Sequence, residues 1–207
     1  MKMKFNYKFA IILFILFIFI FTFNIAAQRN LTADKLTFEK NEEGETVIEA
    51  TANVKMMYNE IQITGDFARF EQAQEIITFE GNVNILMQER QLSSDKLIFK
   101  MEANNMEMSG NVKLSDEDIT ASSNRLTYDR NKRVMTFIEN ANIDYGTINA
   151  SADRIQIFEE ESRAVLKGNV KGQQDGNNFQ ADQIEILNSG NKIEMTGSAQ
   201  FNFSQEE

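Results

Sequence analysis

The chain has 207 residues, with 31 Asp and Glu against 21 Lys and Arg, and it contains no Cys, His or Pro. Without His and Cys, the usual zinc sites and Ser-His or Cys-His nucleophile pairs are excluded, as are a disulfide scaffold and a lipid-attachment cysteine. A net charge of −10 opposes binding to nucleic acid.

The chain opens with Lys2, Lys4 and Lys8, followed by an apolar run from Phe9 to Phe23 and a small-residue exit at Ala26-Ala27. That order predicts a secretory signal peptide over residues 1–27, with an uncleaved membrane anchor as the alternative. Cleavage removes three cations, leaving 21 − 3 = 18 Lys and Arg against 31 acids, or −13. Residues 28–207 then suit one exported domain.

That domain repeats itself. Ala33-Asp34-Lys35-Leu36-Thr37-Phe38 is echoed by Gly65-Asp66-Phe67-Ala68-Arg69-Phe70 and Ser94-Asp95-Lys96-Leu97-Ile98-Phe99. Ser123-Asn124-Arg125-Leu126-Thr127-Tyr128, Ala152-Asp153-Arg154-Ile155-Gln156-Ile157 and Ala181-Asp182-Gln183-Ile184-Glu185-Ile186 complete the set. The marker positions 34, 66, 95, 124, 153 and 182 step by 32 once and by 29 thereafter. A second block follows each first one, marked by Ala52, Gly81, Gly110, Glu139, Gly168 and Gly197 at a constant spacing. A fixed period of this size signals stacked structural repeats.

Both blocks alternate apolar and polar residues, the period of a strand with one buried face. Polar connectors such as Glu71-Gln72-Ala73-Gln74 and Asp129-Arg130-Asn131-Lys132 read as hairpin turns. Each unit is therefore predicted to be a strand, a turn and a longer strand that bends at its glycine. The shared parity assigns Leu36, Phe38, Phe79, Val83, Leu97, Phe99, Met108, Val112, Leu126, Phe137, Ile155, Leu166 and Ile184 to one apolar interior. Ile76 and Ile98 break the polar parity. The interior is either a closed core or a groove for an apolar ligand. Leu31 at one end and Ala199, Phe201 and Phe203 at the other mark edge strands that nothing caps, and such edges accept partners by strand addition.

The recurring Asp reads as a strand-start or turn residue, because a catalytic carboxylate would occur once. The Glu159–Glu161 run reads as a solvated turn face. No catalytic, metal or cofactor site is predicted.

The unit A/S-D-x-[KR]-[LI]-x-[FY], followed by G-N-V, resembles the OstA-like/LptA family of lipopolysaccharide-transport proteins over Leu31 to Phe203. The resemblance implies an all-β, V-shaped antiparallel β-jelly-roll without enzymatic activity. It implies a periplasmic carrier that moves lipopolysaccharide, or a related lipid, from the inner to the outer membrane through an apolar groove. Its implied partners are LptC-like and LptD-like proteins and further copies of itself, joined head to tail. The competing expectation is an envelope scaffold that pairs through its edges without binding lipid.

Overall fold

The computed structural model describes residues 29–187, 190 and 192–203; the leader lies outside them. Strands β1 (Arg29–Thr32), β2 (Lys35–Lys40), β3 (Thr46–Tyr58), β4 (Ile61–Glu71), β5 (Ile76–Met87), β6 (Arg90–Lys100) and β7 (Asn105–Ser115) form the first half. Strands β8 (Ile119–Asp129), β9 (Val134–Tyr145), β10 (Ile148–Phe158), β11 (Arg163–Gln174), β12 (Asn177–Leu187), β13 (Lys192–Thr196) and β14 (Gln200–Asn202) follow. A short 3-10 turn, Glu159–Glu161, sits between β10 and β11.

All strands belong to one antiparallel sheet, and from β3 to β13 each strand pairs with the next. The fold is all-β, as the alternation predicts. The unit itself differs from the sequence reading. In the second to fifth units the first-block strand is nearly as long as the second, because it starts well before its Asp: β4 begins at Ile61, ahead of Asp66. A second set of tight turns, such as Asn59-Glu60 and Gln88-Glu89, makes two hairpins per unit.

Every full-length strand pair from β3 to β12 is interrupted by a register shift at the same level. On β6 and β7, for example, pairing stops at Ser93↔Lys113 and resumes at Lys96↔Ser109. These bulges align into a crease that divides the sheet into two wings. Wing A carries segments such as Lys96–Lys100, and wing B carries segments such as Arg90–Ser94. At both ends the crease splits the outermost strand. β2 and β1 pair with the two halves of β3, and β13 and β14 with the two halves of β12.

The crease has a local chemical cause. At each bulge two consecutive residues have left-handed backbone, for example Gly81 (φ 74°) with Asn82 (φ 47°) and Gly110 (φ 75°) with Asn111 (φ 48°). Glycine adopts this region freely and Asn tolerates it better than most residues. The facing Asp fills the space that a Cβ would need: a methyl at Gly81 would sit 2.5 Å from Asp66 Oδ2. The following Asn donates its Nδ2 to that same oxygen, closing the bulge at Asn53–Asp34, Asn82–Asp66, Asn111–Asp95 and Asn169–Asp153 (2.8–2.9 Å). From Asp66 onward the recurring Asp sits in mid-strand and not at a strand start or turn; only Asp34, just before β2, keeps the strand-entry position. The Asp–Asn clip is altered in the fourth unit, where Asn124 stands for Asp and Glu139 (φ 65°) for Gly, and in the sixth, where Ser198 stands for Asn while Asp182 and Gly197 are kept.

Candidate functional site: an apolar interior and its polar mouth

Folding at the crease turns the apolar faces of the two wings toward each other. Phe79, Val83, Leu97, Phe99, Met108, Val112, Leu126, Phe137, Ile155, Leu166 and Ile184 are all essentially inaccessible to solvent and belong to one continuous cluster. Val83 and Val112 lie on wing B, the others on wing A. Leu36 and Phe38 share the parity but lie on β2 at the sheet edge, where they are 39% and 66% exposed. Among the described residues β2 pairs only with β3, and no further strand covers them. At the opposite end Phe201 is half-buried and stacks edge-on with Phe203, which is 80% exposed. Leu31 packs against the cluster from β1, and Ala199 is exposed between β13 and β14.

The wings meet again along their free rims. Tyr58, at the rim of wing B on β3, packs edge-on against Phe99 of wing A on β6, with ring centroids 5.1 Å apart. Arg29 at the wing B rim reaches Glu75 at the wing A rim (2.8 Å) and stands over the Tyr58 ring. Arg90, which starts β6 on wing B, ion-pairs with Glu159, which follows β10 on wing A. Each wing B element thus touches a wing A element further along the chain, the stagger expected when a twisted sheet closes on itself.

Arg90 also donates to Asp116 from Nε and Nη2 (2.8 and 2.6 Å). Glu159 accepts from the Tyr128 hydroxyl and from Arg133 Nε, both at 3.1 Å. The Glu159 side chain is only 6% exposed, so it is not the solvated turn face that its charged neighbours suggested. It is the buried centre of a network that closes the mouth. A polar cleft of about 660 Å³ lies over the network, lined also by Glu60, Glu89 and Arg130.

The network shifts its members. Burial, then the charge of Glu159 and its hydrogen bond, push the Tyr128 phenol up to about 12. Burial alone would raise the Asp116 carboxyl. The Arg90 hydrogen bond, the Glu117 amide and the Arg90 charge outweigh it and hold the group below the usual carboxylate range. Sequence reasoning assigned none of these residues to a site: Arg90 and Asp116 flank the second set of turns, Glu159 sits in a charge run, and Tyr128 reads as one more apolar-parity residue of its block. Arrayed this way they can hold a mouth shut, but no nucleophile faces a base.

The family described as "LptA/(LptD N-terminal domain) LPS transport protein" matches residues 62–162 and 136–192. No curated protein sequence matches. Among solved structures, LptH from Pseudomonas aeruginosa is described as the LptA homologous periplasmic component of the conserved lipopolysaccharide transport device. It is 15% identical, with a TM-score of 0.33, over 70% of this chain and 95% of that one. A likeness at that level carries none of the argument. With the family match spanning most of its length, the chain belongs to the LptA/LptD N-terminal-domain family of lipopolysaccharide-transport proteins, which are non-enzymatic.

Proposed function

We propose that the protein is a periplasmic carrier that takes the acyl chains of lipopolysaccharide between its two wings and passes them from the inner toward the outer membrane. The observation that carries this reading is the continuous apolar interior, which runs across the strand stack and reaches exposed apolar side chains at both ends. Removing one acyl chain of about 12 carbons from water yields ~10 kcal/mol gross, at roughly 0.8 kcal/mol per methylene. Apolar burial is non-directional, so a chain held this way can slide along the interior.

Because the interior is closed in this structure, entry of acyl chains separates the rims and breaks the Arg90–Glu159 contact. The exposed edges of β1, β2, β13 and β14 then serve as docking strands. Their partners are LptC-like and LptD-like proteins and further copies of the same chain, joined head to tail.

The same closed interior favours one second reading, a scaffold that pairs through its edges and carries nothing. Native mass spectrometry of the protein extracted from its source membrane separates the two. A carrier retains acylated glycolipid in defined stoichiometry. A scaffold emerges with its bare polypeptide mass.

A further inference from the structure

The outer faces of the two wings differ in a way that the repeat does not require. Wing A is laced with charge: Arg69, Glu80, Lys96, Glu107, Arg125 and Lys167 all point outward. On wing B, the outward positions of β4 to β12 carry charge only at Lys113, Asp144 and Lys171. The rest are almost entirely Asn, Gln, Ser and Thr. Composition bias across the chain would load both faces alike. Asn is also depleted in strands, yet Asn142, Asn149, Asn178 and Asn202 all occupy outward strand positions of wing B. A local choice made against propensity, with no core to repay it, marks a functional surface.

The geometry points to a saccharide-binding surface on wing B that engages the polysaccharide portion of the glycolipid whose acyl chains enter the interior. This identification of the source rests on the carrier reading above.

The register builds a grid. Asn149, Gln173, Asn178 and Asn202 stand opposite one another across β10, β11, β12 and β14, and Ser151, Lys171, Gln180 and Gln200 form the parallel row. Neighbouring members of a row stand at the strand spacing, roughly 4.8 Å, comparable with the length of one pyranose ring. Gln173 donates to Asn178 Oδ1 (2.9 Å) and Gln180 to Gln200 Oε1 (2.8 Å), which holds these amides in place before any ligand arrives. A depression of about 580 Å³ lies over this end of the grid. Primary amides and hydroxyls offer both donors and acceptors, the complement of sugar hydroxyls, and the scarcity of charge matches a ligand that is mostly neutral there. Among the described residues no aromatic ring stands exposed on the grid, Phe179 at the floor of the depression being buried, so binding is weak and many-pointed. That suits a surface past which cargo moves. The grid also borders the wing B rim, so a headgroup leaving the mouth can turn directly onto it.

The test uses the full exported chain and lipid-free polysaccharide, released by mild acid from lipopolysaccharide of the source membrane. Binding is read from the side-chain amide resonances. Resonances of Asn149, Gln173 and Asn178 should shift with polysaccharide, and apparent affinity should fall at least tenfold in an Asn149→Ala, Gln173→Ala, Asn178→Ala triple variant. Asn178→Asp alone, nearly isosteric, should weaken binding in the same direction if the triple variant fails to fold. Absence of any shift, or undiminished binding in the folded variants, overturns the proposal. So does a response to cell-wall glycan fragments alone, or amide shifts that depend only on protein concentration, which would assign the face to another polymer or a second copy. The de-glycosylated acylated fragment is titrated in parallel. Its failure to bind, beside a positive polysaccharide result, would fell the carrier reading while leaving the saccharide surface standing.

Discussion

Asn111 donates its side-chain amide to Asp95 Oδ2 at 2.9 Å, across a bulge where Gly110 leaves room for that same carboxylate. The three residues act as a unit, and their coupling is measurable. Gly110→Ala should cost about 1–3 kcal/mol, because it adds a side chain at φ 75° and a collision with Asp95. In an Asp95→Ala background the collision disappears and the added cost should shrink. A double-mutant cycle by urea denaturation reads the difference; strict additivity would refute the clip.

The interior should be intolerant on one parity only. Phe99→Asp or Val112→Asp places an unpaired charge where no solvent reaches and should abolish folding or lipid binding. Lys113→Asp, one residue from Val112 but outward, should change stability by less than about 0.5 kcal/mol. Asn111, of the same outward parity as Lys113, is not a neutral control, because it belongs to the clip. Thermal melts of the three variants decide between one lined face and two.

The mouth should respond to pH at both extremes, by opposite logic. Tyr128 is raised in the folded state, so its contribution is complete below about pH 10 and is lost as pH climbs toward about 12. Asp116 is depressed, so its contribution is complete above about pH 4 and is lost as pH falls through its folded value. Tyr128→Phe should remove a phenolate transition near pH 12 in an ultraviolet titration and flatten the alkaline loss of stability. An unchanged titration would place Tyr128 outside the network.

The edges should carry assembly. Removing residues 199–207 deletes β14 and the exposed Phe203, and Phe38→Asp charges the opposite edge. Either change should abolish concentration-dependent association in light scattering while preserving most of the β signal in circular dichroism. Association that survives both would move the contact away from the strand ends.

Much of this was legible in the sequence because the repeat supplied its own controls. Period-two alternation at a constant phase placed Leu97, Met108 and Leu126 in one interior, since parity alone decides which face a strand residue joins. The bend at Gly81 and Gly110 was legible for the same reason. The pairing of Asp with the Gly-Asn opposite was not, because it depends on which strand lies alongside. The mouth was hidden more deeply. Arg90 and Asp116 meet because β6 and β7 lie side by side, but Arg90 and Glu159 touch only because the sheet folds over itself with a stagger. Leu36 and Phe38 obey the parity yet stay exposed, because a repeat pattern does not say which unit is last.

The central claim, that apolar cargo enters by parting the two rims, is tested most directly by fixing them together. The chain has no cysteine of its own, so Arg90→Cys with Glu159→Cys gives a clean pair for a short cleavable bismaleimide. Transfer of labelled lipopolysaccharide between vesicles is then measured before cross-linking, after cross-linking and after cleavage of the linker. The expected result is transfer by the open form, at least a tenfold loss on cross-linking and recovery on cleavage. Equal transfer by the cross-linked protein would contradict the entry route and the carrier interior with it.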